Sequence, residues 1–261
     1  ESFRGIHAVN VLTGRKDMTL DKLIEVAYDP YLPGFEQLIP GLITAFDESG
    51  ESYAELAPAI EVLRDWDFKV SVNSIAMSLA HFYGMRYEKE GANPSNLKGM
   101  DRINYFGTQS PHEERLQVFA ATVAKLAADF GRWDTPWGAI NRFQRITGDI
   151  EQPFDDNAPS LPVGMASGRW GALASFGAKT GNGTKRIYGS SGNSFVAVVE
   201  FGDKVKAKSM LAGGQSGDPE SPHFNDQAQR YVDREFKDVP YYKEDVEKRA
   251  ARTYHPGEDF K

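Results

Sequence analysis

The run Gly213-Gly-Gln-Ser-Gly-Asp218 is the densest candidate in this sequence for gathering backbone N–H groups around an anion, because successive glycines free the chain to turn. A P-loop would need Lys followed by Ser or Thr and then a helix, whereas Pro219, Ser221-Pro222 and His223 follow here. A structural turn leaving a central strand is expected instead. The histidines His7, His81, His112, His223 and His255 never form a His-x-x-x-His or His-x-His pair, so their spacing proposes no zinc site. Asp155-Asp156-Asn157 clusters oxygens suited to calcium but lacks the periodic ligands of an EF-hand, which leaves a solvated acidic turn as the expectation. Ser167-Gly168 and Ser191-Gly192 lack the Gly-x-Ser-x-Gly frame of a nucleophile elbow, and no spacing proposes a Ser-His-Asp triad. With no cysteine, disulfides and thiolate metal sites are excluded.

The elements that must position any site follow from composition and periodicity. A hydrophobic fraction of 40% and an aromatic fraction of 12% in 261 residues indicate an ordered chain with a core. The net charge of -7 and the interspersed Lys and Arg argue against a nucleic-acid surface. The longest apolar candidate for a membrane span, Ser74 to Gly84, is interrupted by Ser78 and His81 and falls well short of the roughly 20 residues required. The absence of an initiator Met and of a signal-like segment at Glu1 suggests that an export signal, a tag or an upstream polypeptide has been removed.

The first half reads as helical. Thr19 caps a helix carrying Leu20, Leu23, Ile24 and Ala27 on one face before Pro30, and a second helix is expected from about Gly34 to Phe46, kinked or divided by Pro40-Gly41. Ser52-Tyr-Ala-Glu55 reads as a capping box opening a helix to Trp66, although Pro58 moves that start toward Ala57. A helix with Ile75, Leu79, Phe82 and Met85 on one face runs from Ser74 to about Glu88, and Ser110-Pro-His-Glu113 caps a long helix to Phe130. Residues 91 to 109 read as an irregular connection. After Gly131 helical periodicity ends and a loop-rich stretch runs to Ala158. Phe195 to Phe201 reads as a strand apolar on both faces at its start, turning at Gly202-Asp203 into a second strand from Val205 to Leu211. Leu173 to Phe176 and Arg186 to Tyr188 are shorter strand candidates. The residues by themselves indicate an α+β unit, with 1–130 mainly helical and 131–261 rich in loops and strands, the two not forming independent domains.

Gly189-Ser-Ser-Gly-Asn-Ser-Phe-Val-Ala-Val-Val-Glu-Phe-Gly202, continuing through Gly213-Gly-Gln-Ser-Gly to His223-Phe-Asn-Asp226-Gln227, resembles the C-terminal region of penicillin acylases and acyl-homoserine-lactone acylases. In that family a buried strand is followed by a Gly-Gln-Ser-Gly turn and a His-x-x-Asp-Gln segment that opens a helix. The tail Tyr241 to Pro256 continues the match. At the front, Arg4, the apolar residues to Val11-Leu12, and Met18-Thr19-Leu20-Asp21 are similar to a family segment in which an arginine near the active site precedes a helix. The resemblance then covers nearly all of the chain.

It implies part of an αββα sandwich of the N-terminal-nucleophile hydrolase type, namely the C-terminal part of the large subunit of an acylase made as a self-cleaving precursor. Such an enzyme removes the acyl chain from an N-acylated amine such as an acyl-homoserine lactone, a lipopeptide or a β-lactam. The nucleophile is the serine that cleavage exposes, its own α-amine acts as base, and a backbone N–H with an asparagine side chain stabilises the oxyanion. In this register all three precede Glu1. Arg4 is carried over to the neighbourhood of the active site, where the family arginine orients the oxyanion asparagine and gates or charges the pocket edge. Ser2 lies too far downstream to be the nucleophile. The implied partners are the small subunit, the N-terminal part of the large subunit and a small N-acyl substrate, with no nucleic acid and no membrane. No cofactor is expected in this chain, and calcium, where members bind it, falls to the upstream part. A periplasmic or secreted location is implied, and the isolated chain is expected to be inactive. The alternative reading is a non-catalytic binding or assembly module that retains the scaffold.

Overall fold

A computed structural model describes residues 1–255, so Pro256, where the family-like tail ends, lies outside the described residues. The helices come first: α1 (Phe3–Leu12), α2 (Leu20–Ala27), α3 (Phe35–Ser49), α4 (Ala57–Arg64), α5 (Ile75–Glu90), α6 (Gly99–Thr108) and α7 (His112–Phe130). Three of their starts are set locally by a hydroxyl that accepts from a first-turn amide: Ser2 from Gly5, Thr19 from Lys22 and Ser74 from Met77.

Other helix boundaries depart from the expected ones. Ser52-Tyr-Ala-Glu55 is not a capping box but lies within a 3-10 turn over residues 50–56, and α4 opens at Ala57, the start toward which Pro58 pointed, with Pro58 in its first turn. Proline lacks an N–H and is tolerated there because first-turn amides have no intrahelical partner. Ser110 does not cap α7. Its hydroxyl donates back to the Phe106 carbonyl at 2.7 Å and accepts from Arg115 Nε at 3.1 Å. Residues 91–98 are irregular as expected, but α6 follows them, a helix without a side-chain cap whose Phe106 ring stacks on Tyr87 at 4.4 Å.

Pro40 does not divide α3, which is one helix of 15 residues. The adjoining Gly41 instead marks where α3 meets α6: a Cβ there would lie 1.6 Å from the Gly107 carbonyl oxygen, and one on Gly107 would lie 2.0 Å from that of Gln37. Two backbones can approach this closely only without side chains between them. Arg115, buried between the helices, donates to the Gly41 and Phe106 carbonyls. Burial holds its guanidinium below the usual pKa.

Among the described residues the second half supplies α8 (Trp137–Ile140) and seven short strands: β1 (Asn141–Phe143), β2 (Leu161–Pro162), β3 (Phe176–Thr180), β4 (Ile187–Gly192), β5 (Phe195–Glu200), β6 (Lys206–Leu211) and β7 (Lys237–Asp238). One sheet has the order β2-β1-β4-β3 and the other β5-β6-β7. The β1–β4 pair is parallel and the remaining pairs are antiparallel. Two further helices follow among the described residues, α9 (Ala228–Asp233) and α10 (Lys243–Arg249). The larger core joins α3 to α7 with Trp137, Ile140, Trp170 and Ile187 from the second half. A smaller one gathers Tyr28, Val163, Met165, Phe176, Met210 and Tyr231 between the sheets and α2.

The β5–β6 hairpin forms in the expected register, but β5 is not a central, doubly buried strand. It is an edge strand with Val198 buried and Phe195 and Val199 exposed, because no element packs on its other face among the described residues. None of the described helices is long and apolar enough to cross a membrane.

Candidate functional site

Arg4 is the second residue of α1, and the helix is held from both sides. Beneath it, the buried His7 ring places Nδ1 2.8 Å from the Gly171 carbonyl, which can only accept, so Nδ1 carries the proton. His7 Nε2 lies 3.3 Å from Asp29 Oδ1, and the ring meets Tyr31 edge-on at 6.1 Å. Gly171 makes this approach possible with φ +109, a conformation that disfavours any side chain. Gly168 leaves room for the stem of Arg4, whose Cδ is 3.2 Å from where a Cβ would stand. These contacts place Arg4, exposed, on the rim of a groove of about 500 Å³ lined by Ala8, Leu12, Leu23, Val26 and Leu173. No carboxylate among the described residues pairs with it. Ser2, on the same rim, serves α1 as its N-cap, with Oγ 3.1 Å from the Gly5 amide.

The Gly213–Asp218 turn carries the opposite polarity to an anion cradle. The Arg145 guanidinium donates to the carbonyls of Phe224, Gly214 and Ser216 and lies 4.2 Å above the Phe224 ring. The turn thus presents C=O groups to a cation of the chain itself. Gly213 has φ +75, and a Cβ on Gly214 would lie 2.2 Å from the His223 carbonyl oxygen, so both glycines are required by the backbone path. Gln227 N closes the turn onto Gly213 O at 2.7 Å, just before α9. His223 Nδ1 is 2.9 Å from Asp226 Oδ2 on the surface. The predicted helix after Gln227 is α9, and Arg145 is the residue that local reading missed, because it acts across 69 or more positions of chain.

Asp155-Asp156-Asn157 is also engaged rather than simply solvated. Asp155 Oδ1 accepts from the Asn157 amide, while Asp156 accepts from Lys185 N and from the Tyr188 hydroxyl at 2.8 Å. Desolvation, reinforced by that bond, pushes the Tyr188 phenol up to about 12. No three His, Asp or Glu side chains among the described residues converge as metal ligands would.

A second polar cluster lies between the helices and the first sheet. Trp170 Nε1 donates to His81 Nδ1 at 3.3 Å, which leaves the proton on Nε2, and the His81 ring sits 4.8 Å from Trp137. Desolvation, aided by the Arg169 charge, pushes His81 down to about 3, so it is neutral at pH 7. It borders a cavity of about 190 Å³ with Asn141 and Ser191. Asn141 spends its amide donors on Val163 O and Met165 O, both at 3.0 Å, and its Oδ1 is buried without a partner. A neutral imidazole and a fixed amide can orient a polar group or ordered water, but the nearby cation Arg169 is already paired with Glu88.

The Penicillin amidase family model matches residues 1–248. An acyl-homoserine lactone acylase PvdQ of Pseudomonas syringae pv. syringae is 26% identical over 216 residues, covering 80% of this chain and 27% of that protein. The PvdQ of Pseudomonas savastanoi pv. phaseolicola is 24% identical over 220 residues with the same coverage, so the chain spans about a quarter of the length of these relatives. Among solved structures, the thermostable penicillin G acylase from Alcaligenes faecalis superposes with a TM-score of 0.50 at 15% identity, over 99% of this chain and 53% of that one. That likeness shows the N-terminal-nucleophile hydrolase fold, of α+β class. With the family model matched over almost its whole length, the chain belongs to the penicillin amidase family of acylases.

Proposed function

We propose that this chain acts as the C-terminal part of an acylase large subunit, completing an enzyme that hydrolyses the amide bond of N-acylated amines such as acyl-homoserine lactones, lipopeptides or β-lactams. The observation that carries the reading is the family match over residues 1–248 in a chain that spans 27% of its acyl-homoserine lactone acylase relatives. In this reading a serine at the start of an upstream segment attacks the acyl carbonyl. Its α-amine, with a pKa of about 8, takes the hydroxyl proton and passes it to the leaving amine, and water then releases the acid. The helices and sheets of this chain supply scaffold, and residues 1–130 and 131–261 act as one unit. Calcium, where it is bound, is held by the upstream part. The assembled enzyme is periplasmic or secreted.

Arg4 is a positioning residue in this reading. Among the described residues its charge has no carboxylate partner on the rim of an apolar groove, as expected of a group that meets an amide oxygen of the upstream chain. Co-expression with the upstream polypeptide should yield hydrolysis of an N-acyl amide panel, while the chain alone should yield none. A formed complex that hydrolyses no member of the panel would sink the proposal and favour the assembly-module alternative. In the active assembly, Arg4→Lys should lower kcat at least tenfold with little change in KM, because an oxyanion donor is worth about 100-fold or more in rate and its orientation a share of that.

A further inference from the structure

A groove of about 430 Å³ runs between α5, α7 and the edge of the first sheet. Its inner end adjoins the cavity of about 190 Å³ beside Trp137 and Trp170, because His81, Met85, Ala178 and Ile187 line both. Along α5, Phe82, Met85, Arg86 and Lys89 fall at i, i+3, i+4 and i+7 and so make one ridge of the groove. The ridge is apolar at Phe82 and Met85 and cationic at Arg86 and Lys89, and its two ends stand about 10 Å apart along the helix axis. Strand β3 repeats the gradient: Gly177 and Ala178 border the inner cavity, whereas Lys179 and Thr180 line the outer groove.

The cations at the outer end are not all spent. Arg86 Nη1 holds both Glu90 oxygens at 2.8 Å, and Lys125 Nζ holds Asp129 Oδ2 at 2.5 Å. Among the described residues Lys89 and Lys179 have no carboxylate partner, and they stand on different walls of the groove, one on α5 and one on β3. Two unbalanced cations beside an apolar floor run against a net charge of -7, and low-dielectric walls strengthen their field. The inner end attracts no charge. Thr122, buried there, spends its hydroxyl on Val118 O at 2.8 Å, His81 is neutral, and Arg169 is paired with Glu88.

We infer that this groove binds a small amphiphilic anion, with a single carboxylate between Lys89 and Lys179 and an apolar tail lying along Phe82, Met85 and Ile187 toward the tryptophans. The occupant follows from the lining. A mostly apolar pocket with a few placed charges takes a ligand of matching polarity, and here the charge is at one end only. A polyanion such as a nucleic acid or an acidic protein surface would also meet Glu90 and Asp129, which flank the free lysines, whereas one carboxylate avoids both. The proposed function assigns no part to these residues, so the two stand or fall separately.

Titration of sodium octanoate, below its micelle-forming concentration, into the nitrogen-15-labelled 261-residue chain tests it by NMR. The backbone amides of Met85, Lys89, Ala178 and Lys179 and the indole N–H signals of Trp137 and Trp170 should shift saturably. The Trp66 indole, which is bonded to Lys69 O outside the groove, should not. Octanamide, which lacks the charge, should bind at least about tenfold more weakly, and so should octanoate to the Lys89→Gln, Lys179→Gln double variant. Both lysines are exposed, so the variant should keep its melting temperature within about 2 °C. Each methylene removed from the probe, down to hexanoate, should cost about fourfold in affinity. Octanamide binding as tightly as octanoate, or a double variant that binds as tightly as the unaltered chain, overturns the inference. Inorganic phosphate binding as tightly as octanoate would make this a plain anion site and overturns it too, as do octanoate shifts confined to the exposed Phe195 and Phe201.

Discussion

Arg145 and His81 show that the chemically distinctive side chains of this molecule are mostly spent inward. Arg145 uses its guanidinium to fold the Gly213 to Gln227 segment, part of the stretch on which the family resemblance rests. His81 is held neutral by desolvation between Trp137 and Trp170. That has a thermodynamic consequence with a definite sign. A histidine whose folded pKa is about 3, against an ordinary 6.5, binds a proton in the unfolded state first. Stability is therefore full above pH 6.5 and is lost as pH falls from there toward 3, by at most about 1.4 kcal/mol per pH unit. His81→Gln, which keeps an acceptor for the Trp170 indole, should flatten this acid limb. Comparing denaturant midpoints of the two proteins at pH 7 and pH 4 isolates the histidine from carboxylates common to both. A wild-type loss between these pH values no larger than that of the variant would contradict the assignment.

At the scale of elements, the crossing of α3 and α6 is the most constrained contact, because it brings backbone against backbone. Gly107→Ala would put a methyl group 2.0 Å from the Gln37 carbonyl oxygen, so the helices must separate and the Tyr87–Phe106 stack with them. The gain in helix propensity of up to about 1 kcal/mol is outweighed, and a net loss of about 1 to 3 kcal/mol is expected. Gly5→Ala in α1 is the contrasting case. Its new Cβ would meet only Ser2 Oγ at 3.4 Å, and the substitution should be neutral or stabilising by up to about 1 kcal/mol. Urea unfolding of the two variants measures both effects, and the reverse order would show the helix crossing to be loose.

For the whole molecule, the larger core decides which pieces can stand alone. Trp170 is fully buried, stacked on Phe35 at 4.7 Å, with its indole directed at His81. Trp137 sits in the same core and donates to Met165 O. A fragment of residues 1–130 lacks both tryptophans and would leave the faces of α3 and α5 open to water. It should show no cooperative thermal transition by circular dichroism, whereas the 261-residue chain should. A sharp transition in the fragment would make the helical half an independent domain.

The sequence by itself determined what depends on neighbours within a turn or two. Capping by Thr19, the stripes of α2, α5 and α7 and the β5–β6 hairpin are local events, and their signals are local. The motif from Gly189 to Gln227 was enough to indicate the family, and Arg4 was the one residue that the resemblance carried toward a site. The tertiary structure alone decided the rest. α6 has too few apolar positions to be read as a helix and exists because Ile103 and Phe106 are buried against α3 and α5. Ser110 gives up capping because a buried Arg115 needs its oxygen. The exposure of Arg4 and of β5 depends on which surfaces other elements reach, and no window of sequence contains that information. Long-range burial, rather than propensity, sets which side chains are spent on the fold and which are left exposed.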